Sequence, residues 1–126
     1  MKIYIASRFG RKNDVAELQR RFKERGHEII VDWTVHEDIK PYEQHTDLAR
    51  QYAIDDAHGV MDCDAFILLT DEAGTGMHTE FGAALASKLL RGTPTIYVVG
   101  DFINNPFFFH PEITRCDTVE EVLRAL

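Results

Sequence analysis

Short apolar segments alternate with amphipathic segments along the whole chain, and this alternation constrains the fold more than any other feature. The apolar segments predict strands over Lys2–Ser7, Glu28–Trp33, Ala65–Thr70, Thr95–Gly100 and Ile113–Cys116. The intervening segments predict helices over Lys12–Arg25, Asp47–Met61, Gly76–Arg91 and Thr118–Leu126. A chain that alternates in this way forms a mainly parallel sheet with helices on both faces. We therefore predict a single α/β domain over residues 1–126, with about five strands.

The charge of the chain is unevenly distributed. Residues 1–25 carry eight Lys or Arg against three Asp or Glu, a balance of +5, whereas residues 26–126 carry six against eighteen, a balance of −12. An acidic body does not favour broad nucleic-acid binding, because contacts to phosphates supply most of that affinity. The basic N-terminal part could hold one small anion, and the alternative is that its charges form a solvated helix face.

The sequence shows no signal for a membrane, a metal or a cofactor. No segment has the length of a membrane span and the first residues lack a signal-peptide stretch, so we expect a cytoplasmic protein with no membrane partner. Cys63 and Cys116 have no His or Cys neighbours at metal spacing, and we predict two free thiols. His36 and His45 belong to a polar loop without zinc spacing, which we predict to be solvated.

A parallel sheet binds ligands in the crevice outside the carboxyl ends of its strands. The segments that occupy this position are Ser7–Lys12, Trp33–His36, Asp71–Glu80 and Gly100–Asn105. Phe9 and Trp33 are aromatic residues at strand ends. Each ring could stack on a nucleobase, and the alternative is ordinary packing.

The segment from Asp71 to Gly82 carries the strongest chemical signal in the sequence. It joins a predicted buried strand to a helix, and Gly74 and Gly76 would let its backbone approach a ligand closely. Free N–H groups and the helix dipole at such a turn attract negative charge, and the same field would keep Glu80 ionised. An ionised carboxylate in a crevice is suited to attack an anomeric carbon. The alternative is that Glu80 is merely a favourable charge in a first helical turn.

Two features of this helix favour the catalytic interpretation of Glu80. Phe81, Leu85 and Leu89 mark the predicted buried stripe, and Glu80 lies beside that stripe. The surrounding helix surface is made of small residues, which leaves room for a ligand or a close neighbour: Gly82, Ala83, Ala84 and Ala86.

A second carboxylate is predicted to face inward from the helix Asp47–Met61. Leu48, Tyr52 and Val60 recur on one face of this helix, and Asp56 falls on the same stripe. An inward carboxylate is costly to bury unless something binds it, so Asp56 is a candidate for ligand contact or proton transfer. The alternative is an exposed or capped aspartate near the helix end.

Tyr4 lies inside the first predicted strand. Core packing is the common role of a strand tyrosine, but its hydroxyl needs a polar partner if the ring is buried. A carboxylate such as Glu80 would provide that partner.

Taken together, these residues resemble the nucleoside 2-deoxyribosyltransferase family and its hydrolytic relatives, the nucleotide N-glycosidases. The resemblance spans nearly the whole chain and rests on the order and spacing of four elements. They are the opening strand Ile3–Ser7, Asp56 eight residues before Asp64, the block Gly-Thr-Gly-Met-His-Thr-Glu-Phe-Gly that ends at Gly82, and the segment Asn105–Glu121.

This resemblance implies a flavodoxin-like, Rossmann-like fold and a covalent glycosyl-enzyme intermediate. Glu80 occupies the position of the nucleophile in the family. Tyr4 matches the tyrosine that orients that carboxylate, and Asp56 matches the aspartate that contacts the substrate and assists proton transfer.

The resemblance also implies assembly into at least a homodimer. Members often complete the pocket with a polar residue of a neighbouring subunit, for which Asn104 or Asn105 is the nearest equivalent here. The run from Phe107 to Phe109 is either core or a subunit contact.

The chain departs from the transferases at two places. They have a base-binding aspartate six residues before the nucleophile, where this chain has Gly74, and Asp71 could substitute for it. The basic loop that begins at Ser7 and Arg8 is more similar to the phosphate-handling loop of the monophosphate N-glycosidases. Thr75 could add a hydroxyl contact to such a phosphate.

The predicted function is cleavage of the N-glycosidic bond of a (deoxy)nucleoside 5′-monophosphate or nucleoside, by hydrolysis or by transfer of the sugar to another base. The ligand would be a small nucleoside or nucleotide, with no cofactor. An alternative of another class is a non-catalytic nucleotide-sensing module, which would bind the nucleotide without turnover.

Overall fold

The five predicted strands form one parallel sheet in the computed structural model, which describes all residues from Met1 to Leu126. The strands are β1 (Lys2–Ala6), β2 (Glu28–Ile29), β3 (Ala65–Leu69), β4 (Thr95–Val99) and β5 (Ile113–Cys116), and their order across the sheet is β2-β1-β3-β4-β5. The helices are α1 (Lys12–Glu24), α2 (Thr46–Asp62), α3 (Gly76–Arg91) and α4 (Val119–Ala125). The predicted α/β class, with five parallel strands, is confirmed.

The core is centred on the three inner strands. β3 is apolar and buried at every position, and four of the five residues of β1 are also buried. Phe66 of β3 lies opposite Tyr4 on one side and Ile96 on the other. A strand that is covered on both faces needs such a continuous apolar run. The packing holds the carboxyl ends of β1 and β3 side by side, where the predicted site residues follow.

Two helices cover each face of the sheet. α1 and α4 share one face, where the Arg21 guanidinium donates two hydrogen bonds to the Glu120 carboxylate at 3.0 and 2.6 Å. α2 and α3 pack against each other on the opposite face, and Arg91 of α3 donates to the backbone oxygen of Met61 in α2. Right-handed crossovers produce this division, because the chain moves from β1 to β2 in one direction and from β2 to β3 in the other.

The second strand is shorter than predicted. The sequence predicted a strand over Glu28–Trp33, but β2 pairs with β1 over two residues only. A 3₁₀ turn begins at Trp33, and the side chain of Asp32 caps it by accepting a hydrogen bond from the N–H of Thr34. The Trp33 indole donates to the carbonyl of Ile5 at 2.6 Å. β2 is the edge strand and is paired on one side only, so the hydrogen bond from Trp33 is sufficient to end its pairing after two residues.

The buried faces of α2 and α3 are shorter than the hydrophobic periodicity predicted. Leu48 in α2 is 43% exposed and Leu89 in α3 is 58% exposed, so their predicted burial is wrong. Helices of 17 and 16 residues are about 25 Å long, whereas strands of five residues span about 17 Å. Leu48 lies in the first turn of α2 and Leu89 in the last turn of α3, so both lie near helix ends.

The phenylalanine run divides between the core and the surface. Phe108 is buried, whereas Phe107 and Phe109 are each 61% exposed. All three lie in a 3₁₀ turn over Pro106–Phe109.

None of the helices combines the length and the apolar composition that crossing a bilayer requires.

Candidate active site

A cavity of about 510 Å³ opens at the carboxyl ends of β1 and β3, where the strand order changes direction. This volume is within the range of small-molecule sites. Nine of the twelve predicted site residues line the cavity: Ser7, Arg8, Phe9, Trp33, Asp56, Gly74, Thr75, Gly76 and Glu80. Of the other three, Tyr4 is buried beside Glu80, and Asp71 and Asn105 do not line the cavity.

Glu80 begins the second turn of α3, with its carboxylate largely withdrawn from water. Its Oε2 atom is buried and has no hydrogen-bond partner. Burial raises the pKa of Glu80 to about 7; the Tyr4 hydroxyl partly offsets this rise and the charge of Asp56 adds to it. The sequence predicted that the helix field would keep Glu80 ionised. Loss of hydration outweighs that field, and the carboxyl group is only partly ionised at neutral pH.

Tyr4 is fully buried beneath the cavity, and its ring stacks on Phe66 at 5.8 Å with an interplanar angle of 9°. Its hydroxyl is buried without a partner that meets hydrogen-bond geometry. Burial raises the pKa of Tyr4 well above its usual value, and the charges of Glu80 and Asp56 raise it further. The phenol therefore stays protonated and can donate a hydrogen bond to Glu80; that Tyr4 orients this carboxylate stays a prediction.

Asp56 faces the same cavity from α2, which agrees with the predicted inward orientation. Its Oδ1 atom is buried and has no hydrogen-bond partner. Burial raises the pKa of Asp56, the nearby His36 lowers it, and the charge of Asp55 raises it. Asp55 itself is exposed and accepts a hydrogen bond from Gln51. Of the two neighbouring aspartates, only Asp56 is directed at the cavity.

A glycine in α2 explains how Asp56 comes so close to Tyr4. A Cβ atom at Gly59 would lie 2.4 Å from the Val31 side chain and 3.4 Å from the Tyr4 ring. The absence of a side chain at Gly59 lets α2 rest directly on the sheet. Asp56, nearly one helical turn earlier, then stands beside Tyr4 and Glu80. Buried polar groups without partners are costly, and here they are gathered at one ligand-sized cavity.

The loop after β1 and the glycine turn after β3 touch at the other side of the cavity. Gly74 has a φ of +108°, and a Cβ there would lie 2.9 Å from Cβ of Arg8. The Arg8 guanidinium donates to Asp71 at 2.9 Å, and Asp71 also accepts from the N–H of Ala73 at 3.1 Å. These contacts lower the pKa of Asp71. Asp71 therefore positions Arg8, and its predicted contact with a base stays a prediction.

The N-terminus of α3 lies at the same side of the cavity as Arg8 and Gly74. Thr75 precedes the helix and makes no side-chain cap bond, so the first N–H groups of α3 are not capped by it. Thr75 and Gly76 both line the cavity. Uncapped helix N–H groups next to an arginine form a natural anion-binding arrangement.

Asn105 is engaged within its own chain. Its side-chain oxygen accepts from the N–H of Phe107 at 3.0 Å and caps the following turn, while its amide nitrogen lies 3.1 Å from Nδ1 of His78. Asn104 donates to the backbone oxygen of Asp71 at 3.2 Å. Neither asparagine lines the cavity of its own chain.

The loop predicted to be solvated is exposed at Glu37, Asp38 and His45, but it also forms one wall of the cavity, which the sequence did not predict. Ile39 is only 6% exposed and anchors the loop, and His36 stacks on Tyr52 with ring centroids 3.8 Å apart. Eleven residues that were not predicted as site residues also line the cavity. Four of them lie inside the segments expected at the crevice, namely Gly10, His36, Ala73 and Met77, and the others are Glu37, Asp38, Ile39, Lys40, Tyr42, Ala49 and Tyr52. Two signals in the sequence could have placed this loop and α2 at the cavity: Ile39 is an apolar residue inside a polar loop, and Tyr52 lies four residues before Asp56.

The charged groups do not form a metal site. No group of three or more His, Cys, Asp or Glu side chains is arranged to hold a metal ion. Cys63 and Cys116 are both buried and free.

The fold defines a flavodoxin-like α/β domain, with a cavity of ligand size at the strand-order switch point. No family model matches the chain, and no curated protein sequence matches it significantly. Among solved structures, the CMP N-glycosidase BcmB of Clostridium botulinum is similar, with a TM-score of 0.64 and 16% sequence identity. The match covers 99% of this chain and 97% of that one. At this identity the similarity establishes the shared fold over the whole domain.

Proposed function

We propose that the protein cleaves the N-glycosidic bond of a (deoxy)nucleoside 5′-monophosphate or nucleoside through a covalent intermediate on Glu80. One observation carries this proposal: the carboxyl groups of Glu80 and Asp56, each with one buried oxygen that has no hydrogen-bond partner, meet a protonated Tyr4 at one cavity. Such an arrangement is suited to oxocarbenium-like chemistry, in which one carboxylate attacks and the other transfers a proton. The structural neighbour, a nucleotide N-glycosidase with the same fold, supports the choice of bond.

In the first step the ionised Glu80 attacks C1′ of the sugar. A bond forms between the Glu80 carboxylate oxygen and C1′, while the bond between C1′ and the base nitrogen breaks and its electron pair leaves with the base. Asp56, whose pKa is raised by burial, donates the proton that the departing base needs. Tyr4 donates a hydrogen bond that orients the attacking carboxylate and favours its charged form.

In the second step the glycosyl-enzyme is broken down. Asp56, now ionised, accepts a proton from water as the water oxygen bonds to C1′, and the Glu80 carboxylate leaves with the electron pair. The sugar or sugar phosphate is released with its original configuration. A second base in place of water would give transfer, and we favour hydrolysis slightly over transfer.

Substrate binding divides between two sides of the cavity. Arg8 and the uncapped N-terminus of α3 at Thr75 favour a 5′-phosphate over a free nucleoside. Aromatic rings at Phe9 and Trp33 line the cavity and would contact the base. Because the structural neighbour acts on CMP, cytosine nucleotides are the first candidates to assay.

We also propose that the protein works as at least a homodimer. Asn104 and Asn105 follow β4 at the edge of the sheet where the cavity opens, but they line no part of it in their own chain. A polar contribution to the cavity of a neighbouring subunit would explain their position. The cytoplasmic location that the sequence indicates stays a prediction.

The decisive experiment is free-base release from a panel of ribo- and deoxynucleosides and their 5′-monophosphates. We expect release from monophosphates by the wild type, a loss of at least about a thousandfold in Glu80→Gln, and no loss in the exposed control Glu72→Gln. Intact-mass measurement during turnover should detect a sugar adduct on the wild type only.

Other outcomes would contradict parts of the proposal. Release that needs an added second base would show a transferase. Nucleotide binding without any turnover, unaffected by Glu80→Gln, would show the nucleotide-sensing module instead. Turnover that survives Glu80→Gln would exclude Glu80 as the nucleophile.

A further inference from the structure

A second cavity, of about 390 Å³, lies at the carboxyl ends of β3, β4 and β5 and shares no lining residue with the candidate active site. Thr70 follows β3, Gly100 follows β4 and Asp117 follows β5, and all three line this second cavity. Its volume is within the range of small-molecule sites. The proposed cleavage reaction uses none of these residues.

Thr70 brings a buried hydroxyl group without a partner to the second cavity. The residue is 4% exposed, and its Oγ1 atom is buried and makes no hydrogen bond. A Cβ atom at Gly100, whose φ is +117°, would lie 2.2 Å from this oxygen. The hydroxyl therefore lies where Thr70 and Gly100 meet at the cavity wall. An unpaired buried hydroxyl is costly, and a ligand that donates a hydrogen bond to it would recover that cost.

The lining of the second cavity is negatively charged. Asp71, Asp101 and Asp117 contribute three carboxylates, against the single cation Arg11. Asp101 and Asp117 take part in none of the six ion pairs of the chain. An anion would be repelled here, and a neutral ligand would leave both carboxylates unpaired. The charge of the lining therefore favours a cationic ligand.

The remaining charges of the lining already have partners within the chain. Asp71 accepts a hydrogen bond from Arg8 at 2.9 Å. Arg11 lies 3.5 Å from the Asp14 carboxylate and donates to the backbone oxygen of Thr70 at 3.1 Å. The side-chain groups left for a ligand are thus the two unpaired carboxylates and the Thr70 hydroxyl, and all of them can accept hydrogen bonds.

The spacing of the two unpaired carboxylates indicates a ligand with separated charges. Asp101 and Asp117 follow β4 and β5, which pair directly, and paired strands lie about 4.8 Å apart. A short methylene chain separates two ammonium groups by a comparable distance. Phe102, which is 46% exposed, also lines the cavity and offers an aromatic ring to such a chain.

We propose that the second cavity binds an aliphatic polyamine, a methylene chain that carries protonated amine groups. One ammonium group pairs with Asp101 and another with Asp117, and an ammonium N–H donates to the Thr70 hydroxyl. The ring of Phe102 packs on the methylenes. An ammonium group has donors and no acceptor, so it matches a lining whose free groups are acceptors. This site is independent of the proposed cleavage of a glycosidic bond.

The test is isothermal titration calorimetry of the full chain with spermidine at about 0.15 M salt, which screens exposed surface charges. We expect saturable binding of one molecule per chain. Asp101→Asn/Asp117→Asn should raise the dissociation constant at least about tenfold. The control Asp62→Asn/Glu112→Gln removes the same charge near the amino ends of β3 and β5, at the opposite edge of the sheet, and should change the constant less than about twofold.

Thr70→Val tests the hydroxyl separately from the charges, because valine keeps the shape of the side chain. The dissociation constant for spermidine should rise about fivefold or more. The free energy of unfolding of the unliganded variant in urea should not fall, because the hydroxyl has no partner to lose.

Each contrary result would overturn the proposal. A lack of saturable binding at millimolar spermidine would exclude the site. An equal loss of affinity in the two double variants would show attraction to overall negative charge. Equally tight binding of triethylene glycol, a neutral chain of similar length, would show a site that does not recognise charge. An unchanged dissociation constant in Thr70→Val would reduce the cavity to an acidic surface.

The substitutions at Asp101 and Asp117 replace exposed side chains, so these variants should keep the wild-type circular dichroism spectrum. None of the binding measurements uses base release, so the failure of one proposal leaves the other intact.

Discussion

Replacing Glu80 with glutamine should stabilise the protein above pH 7, although it removes the proposed nucleophile. Burial moves the pKa of this carboxyl group from 4.5 to about 7. The difference corresponds to about 3 kcal/mol of unfavourable free energy when the group is ionised in the folded state. Glutamine has the same shape without the charge, so the variant should gain most of that amount at pH 8.

The gain should depend on pH in a defined direction. Between pH 4.5 and about 7 the folded protein holds a proton on Glu80 that the unfolded chain has lost. The free energy of unfolding of the wild type therefore falls as pH rises through this window, whereas the uncharged amide of the variant contributes no such change. The advantage of the variant should be about 3 kcal/mol at pH 8 and shrink to about 1 kcal/mol or less at pH 5.

Urea unfolding of both proteins at pH 8 and pH 5, at one fixed protein concentration, measures this difference. The exposed substitution Glu72→Gln serves as the control and should change the free energy of unfolding by less than about 0.5 kcal/mol. A Glu80→Gln variant that is no more stable than the wild type at pH 8 would refute the reasoning. So would a gain of equal size at both pH values, because it would not come from ionisation.

Three further predictions concern activity and packing. Below pH 7, kcat/KM should fall about tenfold per pH unit as Glu80 is protonated. Tyr4→Phe should move this acidic limb of the pH–rate profile to higher pH, because the hydroxyl that favours ionisation of Glu80 is lost. An acidic limb that stays at the same pH in the variant would contradict this. Arg8→Ala should raise KM for 5′-monophosphates about tenfold or more and leave free nucleosides little changed; equal effects in steady-state assays would argue against a phosphate contact. Gly59→Ala should lower the free energy of unfolding in urea by about 1–3 kcal/mol and should lower kcat, because its Cβ would lie 2.4 Å from the Val31 side chain. Unchanged stability and kcat would show that α2 adjusts freely.

Some elements could be predicted residue by residue because their signals are local. The helix Gly76–Arg91 and the strand Ile113–Cys116 have the predicted bounds. Gly92 ends the helix in the left-handed conformation, with a φ of +85°, as a glycine after a helix commonly does. The β2 strand was over-predicted because its end depends on the indole of Trp33, which reaches a carbonyl on another strand.

The residues at the carboxyl ends of the strands could be placed together from the sequence because the topology of a parallel sheet brings those ends to one edge. Arg8, Gly74 and Glu80 lie on different elements and line one cavity for that reason. The position of the loop that contains His36 as a wall of the cavity was not predicted, since its contact with Tyr52 is made across a gap in sequence that periodicity does not describe.

Hydrophobic periodicity and glycine punctuation are local properties of the chain, and they were sufficient to predict the α/β architecture and the carboxylates that could reach the crevice. The ionisation of those carboxylates could not be predicted in the same way. The pKa of Glu80 follows from how completely the surrounding helices and strands exclude water, which depends on the assembled structure. The exposure of the outer sides of α2 and α3 has the same origin, because the burial of a helix face is set by what the neighbouring elements cover.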